Sequence, residues 1–163
     1  MRREKVRKFL PSFISPDITG ADRIYVETGF LSKNDDAIFK VEHTVNLEAS
    51  GTSSANMTLY YPHKQWEVAF DGNMDEDDAI KLLRMCTNKI KKYRYPLKHG
   101  DIDVYVNRYT LGIVIIEIDA TKPLIDLPEY CGKEVTGDEK YSEVHLIHMK
   151  EQLRAERNNG RSE

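Results

Sequence analysis

Charged side chains recur at every second position in several stretches of this chain. Lys92-Tyr93-Arg94 sets two cations two residues apart, and Asp101-Ile102-Asp103-Val104-Tyr105 and Glu117-Ile118-Asp119 do the same with carboxylates. Glu4-Lys5-Val6-Arg7-Lys8 and Lys40-Val41-Glu42 mix the signs. Successive side chains of a strand point to opposite faces, so each set shares one face while Ile102, Val104, Val114, Ile116 and Ile118 take the other. Two readings follow. The charges form the solvated face of a sandwich, or they line the lumen of a barrel. In a lumen, lysine and arginine can hold phosphate oxygens by charge-assisted hydrogen bonds, and paired carboxylates can hold a hard divalent cation. Parity alone does not choose between them.

The elements that must position these residues are mostly strands. Eight stretches have strand character, most with alternating polarity: 4–10, 23–31, 36–48, 55–62, 64–71, 91–97, 101–107 and 110–119. Turn chemistry at 32–35, 50–54 and Lys98-His99-Gly100 separates several of them. Short loops imply antiparallel neighbours, and eight such strands can close into a barrel with no exposed edge. The expected fold is therefore α+β: an eight-stranded antiparallel barrel, with a helix between the fifth and sixth strands and another at the C-terminus. In the first helix Asp75 caps, Asp77 and Asp78 complement the dipole, and Ala79, Leu82, Leu83, Cys86 and Ile90 are apolar, with the basic run 89–92 at its end. The second is expected over about 142–157, its apolar side made by Val144, Leu146, Ile147 and Leu153. Residues 158–163 are expected to be a disordered tail, which leaves 1–157 as one domain.

Composition narrows the function classes. At 163 residues the chain can bury a core without metal staples. Its 24 basic and 27 acidic side chains leave a net charge of -3, so no global field draws it to a long nucleic acid, and any polyanion must be held by a local cluster. Cys86 and Cys131 lack metal-type spacing and, with no signal peptide, point to a reducing, cytoplasmic setting. The longest apolar run, 113–116, is far below the roughly 20 residues of a membrane helix, so no membrane partner is expected. His145 and His148 lack a third ligand and read as surface or core-edge residues; Trp66 and Phe70 read as barrel packing; 75–78 reads as a helix start rather than a calcium loop. No glycine-rich phosphate loop, nucleophile elbow or Cys-His arrangement occurs.

Local motifs add a family resemblance. Gly132-Lys-Glu134-Val-Thr136-Gly-Asp138-Glu-Lys140-Tyr141, preceded by Leu127-Pro128-Glu129-Tyr130, resembles the Gly-x-Glu-Val-Thr-x-Asp-x-Arg-Tyr signature that closes CYTH domains, the triphosphate tunnel metalloenzymes. Val26-Glu-Thr-Gly29-Phe30-Leu31-Ser32 resembles the family's Ile-Glu-Gln-Gly-Tyr-Leu-Ser, and Lys92-Tyr-Arg94-Tyr95 its Lys-Thr-Arg-Tyr. Asp103-Val-Tyr105, Gly112 and Glu117-Ile-Asp119 follow in the family's order, so the resemblance runs from Glu4 to about Ile147. It implies a tunnel whose members hydrolyse tripolyphosphate, nucleoside triphosphates or thiamine triphosphate, or cyclise ATP, with magnesium or manganese.

The chain departs from that pattern at several chemical positions. The opening Glu-x-Glu-x-Lys aligns with Glu4-Lys-Val6-Arg-Lys8, and a valine cannot ligate a divalent cation. Ile38-Phe-Lys40, or Lys40 with Glu42, stands for a pair of arginines; Tyr60 stands for a cation; Glu67 keeps one acid of a pair whose other place is Ala69. The resemblance thus implies Lys8, Lys40, Lys92 and Arg94 as phosphate contacts, Glu4, Glu117 and Asp119 as ligands for a weakened Mg2+ or Mn2+ site, and Glu42, Tyr60, Glu67, Asp103 and Lys140 as further tunnel-facing residues. The expected function is binding of a nucleotide or other polyphosphate in a basic tunnel with hydrolysis reduced or absent, such as sequestration of a signalling nucleotide. The alternatives are a working magnesium- or manganese-dependent triphosphatase and a non-catalytic interaction scaffold.

Overall fold

The computed structural model describes residues 2–3, 5–33, 37–48, 51–61 and 67–161. Its strands are β1 (Arg2–Arg3), β2 (Val6–Pro11), β3 (Ile24–Lys33), β4 (Ile38–Asn46), β5 (Ser53–Tyr61), β6 (Glu67–Asn73), β7 (Lys89–His99), β8 (Ile102–Tyr109), β9 (Val114–Asp119) and β10 (Cys131–Glu134). Helix α1 (Glu76–Met85) lies between β6 and β7, and α2 (Glu143–Arg161) is the last element. Among the described residues these ten strands form one sheet, in the order β1-β6-β5-β4-β3-β7-β8-β9-β2-β10, and every pairing is antiparallel.

The expected α+β class and antiparallel neighbours are present, but the eight-stranded barrel is not confirmed: among the described residues the hydrogen-bond ladder does not close. A strand has two edges, and β2 gives one to β9 and the other to β10. Among the described residues, Arg2 and Arg3, just before it, pair with β6 at the far end of the order. One stretch of chain therefore serves both ends of the sheet, which curls into a trough. Neither β1 nor β10 was expected as a strand.

Register sorts the side chains onto two faces. Residues directly opposite in a ladder point the same way, so Lys8, Glu117 and Tyr105 share the inner face with Asn107, Arg94, Lys92, Val26, Thr28, Glu42, Lys40 and Thr58. The outer face carries two apolar clusters. Phe9, Val104, Val106, Ile116 and Ile118 pack under Ile18, Leu124 and Tyr130, while Val41 and Ala55 pack against Ala79 and Leu83 of α1. On the inner face Val144, Leu146 and Ile147 of α2 are buried against Phe30, Ile38, Ile90, Tyr109 and Ile115. Burial of such side chains stabilises by roughly 1.5–3 kcal/mol each, so α2 is firmly docked.

Several boundaries differ from expectation for identifiable reasons. Asp75 starts α1 as expected, its Oδ1 accepting the Asp78 N–H at 3.1 Å. The helix stops at Met85, however, and Ile90 and the run 89–92 belong to β7. The edge of β3 wins those residues: Gly29 to Ile24 pair with Lys89 to Arg94, more bonds than another helical turn would supply. The last expected strand begins at Val114, because Gly112 at φ +104 turns the chain between β8 and β9. The expected 64–71 strand is β6 over Glu67–Asn73, with 62–66, including Trp66, outside the described residues. Phe70 is 53% exposed on the outer face, lying over Gly72 rather than in a core. Helix α2 continues to Arg161, beyond the expected end at 157, because adding a residue to an existing helix is cheap. No helix among the described residues is long and apolar enough to cross a membrane.

Gly29, part of the third strand's motif, lies directly under α1. A Cβ there would stand 2.8 Å from both Leu83 Cδ2 and Cys86 Sγ. Since Leu83 and Cys86 are buried, Gly29→Ala is expected to destabilise by about 1–3 kcal/mol, the usual scale of overpacking. Urea denaturation measures it, and an unchanged midpoint would mean that α1 packs less closely than described.

Candidate functional site

Lys92 is the deepest charge on the inner face, at 4% exposure. Its place is set by the ladder, which pairs it with Val26 of β3 and Tyr109 of β8. Its Nζ lies 5.5 Å from the Tyr109 ring centre and 3.7 Å from Glu143 Oε1, at the start of α2. A buried ammonium is costly unless opposite charge faces it. Burial alone would lower the Lys92 pKa, but Glu143, Glu117 and Glu42 outweigh burial and the nearby Arg94 and hold it above the ordinary lysine value.

Arg94, two residues on, has its guanidinium carbon 3.9 Å from the Tyr105 ring centre and Nη2 3.8 Å from Glu117 Oε2. Glu117 is opposite Lys8 on one side and Tyr105 on the other. Burial pushes its carboxyl up, yet Lys92, Lys8 and Arg94 prevail and hold it below the usual range despite Glu143. Glu143 behaves alike: burial raises it, Lys92, Lys40, Lys8 and Arg94 lower it, and the net direction is down. Strand β4 brings Lys40, 5.6 Å from the Tyr60 ring centre, and Glu42, which accepts the Thr28 hydroxyl at 3.0 Å. Lys8, Lys40, Lys92 and Arg94 thus meet Glu42, Glu117 and Glu143, although β4 and β2 stand far apart in the strand order.

The Lys92–Glu143 and Arg94–Glu117 pairs are held by charge more than by hydrogen bonds. Separations of 3.7 and 3.8 Å are beyond hydrogen-bond reach. Glu143 Oε2 and both amide atoms of Asn107 are buried without a partner among the described residues. Asn107 is fully buried and sits opposite Arg94 and Ile115 in its two ladders.

Among the expected residues, Lys8, Lys40, Glu42, Tyr60, Lys92, Arg94 and Glu117 come together. Asp103 and Asp119 share the face but lie further along it. Asp103 pairs with Lys98, and Asp119 accepts the Thr121 N–H at 2.9 Å. Lys140 does not join them: it stands exposed in a 3-10 turn, Glu139–Tyr141, and the charge that enters from this part of the chain is Glu143. Glu4 and the side chain of Glu67 lie outside the described residues. Glu143 and Asn107 were not anticipated. An acid in the first turn of a helix reads as a complement to the dipole, and Asn107 announces itself only as a polar residue on the inner parity of β8.

Glu4, one of the three expected metal ligands, lies outside the described residues. Among the described residues no three His, Cys, Asp or Glu side chains converge on one point. Glu117 faces Lys92, Lys8 and Arg94 with Glu143 nearby, and Asp119 accepts the Thr121 N–H of its own turn. His145 and His148 are exposed, the first against Ser142 and the second near Glu151.

The closing signature acts as a clasp on β2. Arg7 donates to both Glu134 oxygens at 3.0 and 2.8 Å, the Lys8 N–H donates to Thr136 Oγ1 at 2.8 Å, and the Val135 N–H donates to Lys8 O at 2.8 Å. Asp138 caps the following turn through the Lys140 N–H at 3.1 Å. The motif therefore fixes where Lys8 stands and delivers α2 to the inner face.

No family model and no curated protein matches the chain. Among solved structures, it is similar to the PH1819 protein of Pyrococcus horikoshii OT3, at 14% identity and a TM-score of 0.58 over 89% of this chain and 98% of that one. It is also similar to the PH1012 protein of the same organism, at 17% identity and a TM-score of 0.51 over 74% of this chain and 80% of that one. A Bacillus halodurans protein provisionally named as an adenylate cyclase aligns at 14% identity and a TM-score of 0.48 over 94% and 89%, too distant to carry an argument. The likeness is one of fold.

Two measurements test this geometry. Because Glu117 and Glu143 are held below the ordinary glutamate value of about 4.3, their stabilisation is complete above that value and lost as pH falls through their lower folded values. Melting temperature should drop across that acid range, and less steeply in Glu117→Gln; an equal slope would mean that Glu117 is not charge-paired. Asn107→Leu, which removes unpaired buried polar atoms at similar volume, should raise the stability of the ligand-free protein by about 1–3 kcal/mol. A loss would show that the amide has a partner.

Proposed function

We propose that this chain is a divergent protein of the CYTH type. Its inner face binds a small molecule carrying several phosphates, a nucleotide or an inorganic polyphosphate, with hydrolysis reduced or absent. The trough takes the part of the family's tunnel. The observation that carries the reading is the burial of Lys92 among Lys8, Lys40 and Arg94, four cations reaching one place from three strands. Arg94 suits a bidentate grip on a phosphate, and the lysines act as mobile point charges. The motif resemblance supports the family, and the likeness to PH1819 supports its fold alone.

Phosphoryl transfer depends on a metal that orients the attacking group and offsets developing charge. With Val6 opposite Asp119 in the β2–β9 ladder and Glu117 surrounded by cations, the described carboxylates are poorly arranged for that task. A site of several convergent cations without a well-formed metal cage favours holding the ligand over cleaving it, which fits sequestration of a nucleotide.

The test is calorimetry with tripolyphosphate and ATP, alongside phosphate release in magnesium or manganese. Binding without turnover is expected, and Arg94→Ala should weaken it by about 1.5–3 kcal/mol, the scale of a hydrogen bond to a charged group. Brisk metal-dependent turnover would instead make the protein a triphosphatase. No response to any polyphosphate would leave the scaffold reading.

A further inference from the structure

Glu143 has no place in the reading just given: a carboxylate from α2 stands where the cations for phosphate converge. We propose that Glu143 is a built-in counter-anion occupying a phosphate subsite formed by Lys92, Arg94 and Asn107, and that a polyphosphate binds by displacing this carboxylate while α2 stays docked. The proposal rests on the inner face being a polyphosphate site.

Three observations carry it. The first is the poor fit of the carboxylate to its surroundings. Oε1 is 3.7 Å from Lys92 Nζ, and Oε2 is buried with no partner among the described residues. A phosphate has more oxygens to distribute and can reach the short, charge-assisted distances that Glu143 does not.

The second is Asn107. It is fully buried opposite Arg94, with neither amide atom partnered among the described residues. Such a group calls for an explanation in a folded protein. A phosphate gripped by Arg94 would give its Nδ2 an acceptor.

The third is the anchoring of α2. Val144, Leu146 and Ile147 are buried in the inner apolar cluster, and the Ser142 hydroxyl accepts the His145 N–H at 3.4 Å to cap the helix. One long ion pair is small beside that hold. Glu143 is the first residue of the helix, so its side chain can swing outward without moving the elements behind it. The exchange is therefore one of side chains.

The experiment is calorimetric titration of the full chain with sodium tripolyphosphate, parent against Glu143→Gln. The amide no longer competes for the cations, so the variant should bind about tenfold tighter, within the usual range of coupling between sites. It should also melt lower without ligand, since Lys92 loses its nearest carboxylate. Equal or weaker binding by a folded variant, with the parent still binding, overturns the role of Glu143 and leaves the site intact. No binding by either overturns both. If Glu143→Gln does not fold, Glu143→Asp keeps the charge but draws it back by one methylene; it should tighten binding about threefold as the Coulomb attraction weakens with distance, and no tightening overturns the proposal. Amide exchange in the parent adds a separate check: protection from Leu146 to Lys150 should survive tripolyphosphate, and its loss would show that the whole helix leaves.

Discussion

The burial of one ammonium group constrains much of this molecule. Lys92 at 4% exposure would lose its proton or oppose folding if it stood alone. The carboxylates that prevent this come from three places, Glu42 on β4, Glu117 on β9 and Glu143 on α2, and none is near Lys92 in sequence. Bringing them together requires a curled sheet, a fixed register and a docked C-terminal helix. The Glu134-Val-Thr136 clasp meets part of that need: it holds β2, and with it Lys8, against β9 and then turns the chain toward the inner face. In this way a surface ion pair between Arg7 and Glu134, worth at most about 1 kcal/mol by itself, acquires importance through what it positions.

Much of this was legible from side-chain parity. Alternation placed Lys92, Arg94, Glu117 and Lys8 on one face, and the ladders pair them as parity requires. Parity has no access to depth, however. Asp103 and Asp119 share the face with Glu117 but stand further out, tied to Lys98 and Thr121, and no local pattern distinguishes a carboxylate in the middle of a strand's reach from one at its mouth. The misplaced end of α1 has a different origin. Residues 89–92 read equally well as a basic helix terminus, and the choice was made by the unpaired edge of β3, more than fifty residues upstream.

Among the described residues closure is not confirmed, for a related reason. Counting strands predicts whether a sheet could close, but edge occupancy decides whether it does. The short β10, hidden within a motif of turn and cap residues, takes the edge of β2 that a barrel would give to β6. In the sequence Glu143 is indistinguishable from the acids that helix starts favour for their own sake. Its second role, facing Lys92, depends on where the helix lands.

The balance of charge in the cluster also bears on what such a face can hold. Four cations opposed by three carboxylates carry little net field, so long-range attraction of an anion is weak and selectivity must arise at contact. At contact the internal pairs are poor competitors, since their 3.7 and 3.8 Å separations leave hydrogen-bonding capacity unused. In the proposed reading, a ligand gains by replacing these loose pairs with charge-assisted hydrogen bonds of about 2.7–2.9 Å, and the gain grows with the number of cations it engages at once. A single phosphate could satisfy Arg94 and one lysine but would leave the others to their carboxylates. A chain of phosphates could span from Lys8 to Lys40. In that reading a near-neutral cluster would discriminate by the length of the anion, which a strongly basic groove, attracting any negative charge, would do less well.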